Sequence, residues 1–290
     1  MNKMLTIQDL TLTAHNHDIL AHINLSFQDN HVYGIIGPNG VGKTTLFKSI
    51  LGITRYHGKI LFNGAQPNDL QIGKLIEYPN FYQNLTVEQN LQLFARYMNA
   101  DLGLVSQALE KVNLLKEKTT RFSDLSLGTK QRLGIARALL GNNHILLLDE
   151  PQNGLDPLGI KSIRELLNDP KLREDKVILL ASHNLNEITK IVDNLIFVDN
   201  GQILCQIRNQ TTPYYLFRTQ QTPALLPNFD ANPNISMVQN SSFILTTYVP
   251  NQLRTHYPQL AVRYIGKITS LESLFDFVIT KGVVNNVDFN

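Results

Sequence analysis

The chain has 290 residues, with 26 Lys and Arg against 24 Asp and Glu for a formal charge of +2. That length supports one large domain or two around a sizeable core, and the near-neutral balance carries no footprint for nucleic acid or an anionic membrane surface. A single cysteine, Cys205, excludes an intrachain disulfide or a cysteine metal cluster and reads as a buried apolar residue of a reduced compartment.

Residues 1–10 are too polar for a secretory signal, and no window approaches the ~20 apolar residues of a membrane-spanning helix. The expectation is a soluble, cytoplasmic chain that needs another chain to supply any membrane spans. Met4–Asp9 and Ile23–Phe27 alternate apolar and polar residues as half-buried strands do. With Val32–Ile36 and Lys59–Phe62 they predict a mixed sheet.

Val32–Thr45 reads Val-Tyr-Gly-Ile-Ile-Gly-Pro-Asn-Gly-Val-Gly-Lys-Thr-Thr, a strand-like run followed by the spacing of a phosphate-binding loop. Glycines let the backbone turn tightly and bring N–H groups against phosphate oxygens. A helix starting near Lys43 and running to Gly52 presents its positive end to the same anion. Lys43 suits the β- and γ-phosphates, and the Thr44 hydroxyl suits Mg²⁺.

Ile72–Glu77 is a further short strand, after which Val87 to about Leu140 turns helical. Leu91, Phe94 and Met98 share one face there, as do Val105, Ala108, Leu109, Val112 and Leu115. The polar stretch Ser123–Gly128 reads as a loop before a helix capped by Ser126, a natural anion site. Ile145–Leu148, Val177–Ala181 and Leu195–Asp199 are compact apolar runs, the form of strands buried on both faces of a parallel sheet. Helices near Ile160–Leu167 and Leu185–Ile191 separate them, the alternation of an α/β fold. Asn200-Gly201 predicts a hairpin into Gln202–Ile207. Past Asn209–Pro213 the chain grows rich in Asn, Gln, Thr and Pro, with strands at Phe243–Tyr248 and Leu260–Ile265 and a closing helix at Leu271–Val278.

The run ending in Asp149-Glu150 delivers two carboxylates to the carboxyl end of a buried strand, where open α/β sheets bind ligands. Asp149 suits Mg²⁺ as a hard oxygen ligand, and Glu150 suits a general base that activates water.

The phosphate loop, Leu125-Ser-Leu-Gly128-Thr before the acidic strand, Asn153-Gly-Leu-Asp156 after it, and Ala181-Ser-His183 one strand later occur in an order that resembles the nucleotide-binding subunit of an ATP-binding cassette (ABC) transporter. The resemblance covers about residues 3–210. It implies a P-loop NTPase α/β fold with a mixed sheet: a nucleotide-binding domain over 1–210, a helical subdomain inserted at about 87–140, and a small α+β accessory domain over 211–290. Gly37, Pro38, Asn39, Gly40, Val41, Gly42, Lys43, Thr44 and Thr45 would form the Walker A loop, and Ile145–Glu150 the Walker B strand. Leu155–Asp156 would belong to the D-loop. Glu150, His183 and Lys43 would be the catalytic residues, His183 as the switch histidine. In this family two such domains meet head to tail, so Ser126 and Gly128 of one would close on the γ-phosphate held by Lys43 of the other. The implied cofactors are ATP and Mg²⁺; the implied partners are an integral membrane permease and a second nucleotide-binding subunit, with no nucleic acid. Its implied location is the inner face of the cell membrane, through the permease.

The chain departs from the usual pattern in three places. Leu127 and Thr129 replace a glycine and a glutamine of the signature. Glu77 stands where most members carry a glutamine near Mg²⁺, joining Thr44 and Asp149 as a candidate metal ligand. Ala14 stands at the adenine-stacking position, with His15 and His17 beside it as either stacking rings or solvated loop residues. The Glu77-Tyr-Pro79 loop with Phe81-Tyr-Gln-Asn-Leu-Thr, and the closing Thr269-Ser-Leu-Glu-Ser-Leu-Phe-Asp, resemble the ATPase subunits of bacitracin- and lantibiotic-type peptide exporters. Residues 87–140 and Glu77–Leu85 are the expected docking surface, with Phe81 and Tyr82 as exposed anchors or as core. A soluble ABC ATPase acting on the ribosome or nucleic acid is the alternative; one cassette and a nearly neutral tail argue against it.

Overall fold

A computed structural model describes residues 3–14, 17–67, 72–77, 80–210, 213–219, 234–238 and 243–279. The first strands, β1 (Met4–Ala14) and β2 (His17–Gln28), pair as an antiparallel hairpin. Then come β3 (His31–Ile36), α1 (Lys43–Ile50) and β4 (His57–Phe62), which returns to pair with β1. β1, β2 and β4 therefore form a three-stranded sheet of their own instead of joining the mixed sheet expected of them. β2 alternates buried and exposed residues along its second half, as a strand with one covered face does.

β5 (Ile72–Leu75) precedes the helical segment: α2 (Val87–Tyr97), α3 (Gly103–Lys111) and α4 (Leu127–Ala138). α2 starts with a reciprocal cap between Thr86 and Gln89. The expected loop 123–128 is largely ordered as a 3-10 turn, Phe122–Asp124, and the start of α4. The chain continues through β6 (Ile145–Asp149), α5 (Pro157–Asn168), α6 (Pro170–Arg173), β7 (Val177–Ser182), α7 (Leu185–Ile188), β8 (Asn194–Asp199) and β9 (Gln202–Arg208). α7 is shorter than its apolar spacing predicts. Beyond it the carbonyls of Thr189 and Val192 are taken by the Asn209 amide, and that of Ile191 by Arg173.

The central sheet runs β5-β6-β7-β3-β8-β9, parallel except for the β8–β9 hairpin. Successive side chains of a strand point to opposite faces. Leu146 and Leu148 accordingly enter a core shared with α2 to α5, whereas Ile145 and Leu147 enter a second core with Leu46, Phe47 and Ile50 of α1 and the three-stranded sheet. Both faces are covered, and parallel strands are fully buried.

The last part holds β10 (Tyr214–Thr219), β11 (Ile235–Val238), β12 (Phe243–Thr246), α8 (Pro250–His256), β13 (Val262–Ile268) and α9 (Leu271–Ile279). Its antiparallel sheet is ordered β11-β12-β10-β13. One face, with Phe217 and Ile244, packs on Leu253 of α8. The other carries Leu216, Val238 and Leu245, which join α9 and Phe197 of β8 in the first core. Among the described residues no helix is long and apolar enough to cross a membrane.

Candidate functional site

The loop between β3 and α1 leaves the carboxyl end of the central sheet, beside the ends of β6 and β7. Two glycines have steric reasons to be there. A Cβ on Gly37 would sit 2.1 Å from the Val198 carbonyl oxygen, and Gly42 has φ +103° with the Ile19 carbonyl 2.8 Å from where its Cβ would lie. Lys43 is only 6% exposed and folds back over the loop, its Nζ donating to the carbonyls of Gly37 (2.7 Å) and Pro38 (2.8 Å). Burial lowers its pKa, while Glu150 and Asp149 pull it up.

Thr44 Oγ1 donates to Asp149 Oδ2 at 2.5 Å, joining positions 105 residues apart in sequence. Burial raises the pKa of Asp149, with the Thr44 bond acting against it, the Glu150 charge with it, and Lys43 against it. Glu150 follows with φ +47°, a left-handed backbone that costs a non-glycine residue about 1–3 kcal/mol. Gln131 of α4 bonds its carbonyl (3.0 Å) and the Ala181 carbonyl takes its N–H (2.9 Å). Its carboxylate accepts from the His183 backbone N–H (3.0 Å), His183 Nδ1 (2.6 Å) and Ser182 Oγ (3.4 Å). Between a carboxylate and a ring nitrogen the proton sits on Nδ1, which sets the tautomer.

A cleft of about 280 Å³ is lined by Asn39, Gly40, Gly42, Lys43, Thr44, Thr45, Glu77, Gln131, Asp149, Glu150 and Asn153. Gly37, Pro38 and Val41 complete the loop behind it, and Val41 accepts a bond from the Gly201 N–H. His183 reaches the cleft through Glu150. Glu77, at φ +55°, is ion-paired to Lys48 of α1 at 2.5 Å. Ser126 and Gly128 do not line the cleft. Ser126 is exposed and caps α4, accepting from the Thr129 N–H at 3.2 Å. Gly128 packs on the Gly154 carbonyl, 2.8 Å from where its Cβ would be. Neither Ala14 nor His17 lines the cleft; they pair at the end of the β1–β2 hairpin, and His15 lies outside the described residues. Phe81 is packed, its ring 5.0 Å from Phe122 and under the Arg137 guanidinium at 5.1 Å; Tyr82 is 64% exposed.

Gln131 and Lys48 have no role assigned from the sequence, and Asn153 enters there only as the first residue of the motif Asn153-Gly-Leu-Asp156. Gln131 carries the one available signal: on a helix started by Ser126, it lies three residues past Gly128 and so shares its side.

Residues 20–153 match the family described as ABC transporter. The bacitracin transport ATP-binding protein BcrA of Bacillus licheniformis is 35% identical over 215 residues, 71% of this chain and 70% of that protein. The lantibiotic transport ATP-binding protein SrtF of Streptococcus pyogenes is 36% identical over 207 residues, 70% of this chain and 90% of that protein. The solved structure of cbiO1 from Clostridium perfringens, part of the ABC transporter complex cbiONQ, matches with a TM-score of 0.63 at 26% identity, over 72% of this chain and 90% of that one.

Proposed function

The chain belongs to the ABC transporter family as an ATP-binding, ATP-hydrolysing subunit, and on that premise we propose that it powers a separate membrane permease exporting an antimicrobial peptide or a similar amphipathic compound. The substrate class follows the names of its relatives and the Glu77 loop. The observation that carries the site is the meeting of Lys43 and the Thr44–Asp149 pair with Glu150 in one cleft.

In this reading residues 37–45 wrap the phosphates with backbone N–H groups at the positive end of α1. The Lys43 ammonium exchanges its two carbonyl partners for β- and γ-phosphate oxygens, and the anion offsets the burial that now depresses its pKa. Thr44 and Asp149 are hard oxygen donors already in contact, which fits Mg²⁺ with Glu77 beside them. Among the described residues no cluster of three His, Cys, Asp or Glu side chains could hold a metal; Thr44 and Asp149 would hold Mg²⁺ together with the nucleotide. Mg²⁺ bound there neutralises charge on the β- and γ-phosphates.

Glu150 takes a proton from the attacking water as its oxygen bonds the γ-phosphorus. The bond to the β-phosphate oxygen breaks, and ADP leaves with the electron pair. His183 and Ser182 hold the carboxylate in place. For His183 also to donate to the γ-phosphate, both ring nitrogens must carry protons. Ser126 and Gly128, at the exposed start of α4, serve the site of a second nucleotide-binding subunit. The permease docks on the face formed by residues 87–140 and the Glu77–Leu85 loop, where Tyr82 is an exposed anchor. The protein then resides on the cytoplasmic side of the membrane.

Affinity purification from detergent-solubilised membranes of the native cell tests this reading. A stoichiometric multi-span protein, depleted by Tyr82→Ala, is the expected partner. Ribosomal proteins or nucleic acid in its place would overturn the transport assignment.

A further inference from the structure

A second cavity, of about 140 Å³, lies at the opposite end of the central sheet from the cleft. Leu146 near the start of β6 and Lys176 just before β7 line it, whereas Asp149 and Ser182 end the same strands beside the cleft. Its lining divides into three parts. Leu104, Leu139, Leu146 and Leu172 give an apolar part; Lys111, Lys171 and Lys176 give a cationic part with no carboxylate among the lining residues; Gln107 and Asn143 contribute uncharged amides.

None of the three lysine side chains is ion-paired among the described residues. The nearby Asp175 is engaged by Lys3 at 3.2 Å. Burial and then the Lys111 charge lower the pKa of Lys176, with Lys3 adding to the effect and Asp175 and Glu174 opposing it. Asn143 is 2% exposed. Its amide nitrogen donates to the carbonyls of Ala138 and Leu140, but its Oδ1 is buried without a partner. That oxygen faces Gly141, another lining residue, 3.8 Å from where a Cβ there would lie. A buried acceptor left unsatisfied carries an uncompensated desolvation cost, which a ligand that donates to it relieves.

We propose that this cavity binds a small hydroxylated phosphate ester, its phosphate held by Lys111, Lys171 and Lys176 and its hydroxyl donating to Asn143 Oδ1. Three lysines lining one cavity match a dianion better than a single carboxylate. A carboxylate side chain of a docking protein has only acceptors and leaves Asn143 orphaned. The leucines accommodate a short carbon skeleton, and the cavity is half the volume of the cleft proposed for ATP. The site stands independently of the cleft's assignment.

Amide hydrogen exchange on the full chain, titrated with glycerol 3-phosphate, inorganic phosphate or glycerol, reads the two sites separately. Glycerol 3-phosphate is expected to protect residues 104–111 and 138–143 at lower concentration than either other probe. Lys171→Gln combined with Lys176→Gln should raise its midpoint roughly tenfold or more and leave ATP hydrolysis unchanged. Protection confined to residues 37–45, an unshifted midpoint in the double variant, or equal protection by inorganic phosphate would each overturn the proposal.

Discussion

Asp149 ionises against its surroundings, because burial holds its carboxyl above the ordinary value of 3.8 even with Thr44 donating to it. The folded chain therefore binds this proton more tightly than the unfolded chain does. Its stabilising contribution is complete below 3.8 and is lost as the pH rises through the raised folded value. Asp149→Asn keeps an acceptor for Thr44 and removes that pH-dependent penalty. Urea unfolding without nucleotide should give equal stabilities at low pH and a difference in favour of Asp149→Asn at neutral pH. With ATP and Mg²⁺ the order should reverse, since the cation selects the ionised form. A parent chain more stable than the variant at neutral pH without nucleotide would refute this assignment of the buried carboxylate. Glu150 shows the same trade at the backbone, its left-handed conformation held by Gln131, Ala181, Ser182 and His183.

The helix α4 ties these residues together along its length. Its start is capped by Ser126; Gln131 braces Glu150; and Arg137, which burial drives below its ordinary pKa, lies over the rings of Phe81 and Phe94 at 5.1 and 5.4 Å. Ser126→Ala should cost about 1 kcal/mol of stability through the lost cap and leave ATP binding at its own Lys43 intact. In a homodimer its effect on turnover should then be a trans effect. Mixing the Ser126→Ala chain with a Lys43→Ala chain should restore activity that neither has alone, because each hybrid pairs one sound loop with one sound cap. Activity equal to the sum of the separate variants would place Ser126 outside the partner's site. Elements of this kind were unequally legible. The glycine loop and Ile145–Leu148 announce themselves by local spacing and a continuous apolar run. Gln131 and Lys48 do not, because their partners lie far away in sequence and depend on how helices seat on the sheet. The short α8 and the strands β10 and β11 are not legible in the sequence, being brief pieces amid polar, proline-containing residues with weak periodicity.

On the scale of the whole molecule, the last four strands and α9 are continuous with the cassette's interior. Phe277 is 3% exposed and joins Leu216, Leu245 and Phe197 in one core, and the Phe275 ring lies tilted against Phe197 with centroids 5.9 Å apart. Phe277→Ala should destabilise the protein by about 3–5 kcal/mol, seen as one cooperative transition shifted downward. A separate early transition, with the remainder unchanged, would contradict a shared core. The α/β class and the family were readable from motif order. That the first hairpin builds its own sheet was not, since alternation reveals a half-buried strand and not its neighbour. The central claim is hydrolysis of ATP by Glu150 in the cleft formed with Lys43, Thr44 and Asp149. Its most direct test is the identity of the nucleotide retained after the Glu150→Gln chain is incubated with ATP and Mg²⁺. The variant should hold intact ATP, with turnover reduced roughly 10²–10⁴-fold, while the parent releases ADP. ADP formed by both at the same rate, or no nucleotide held by either, would contradict the account.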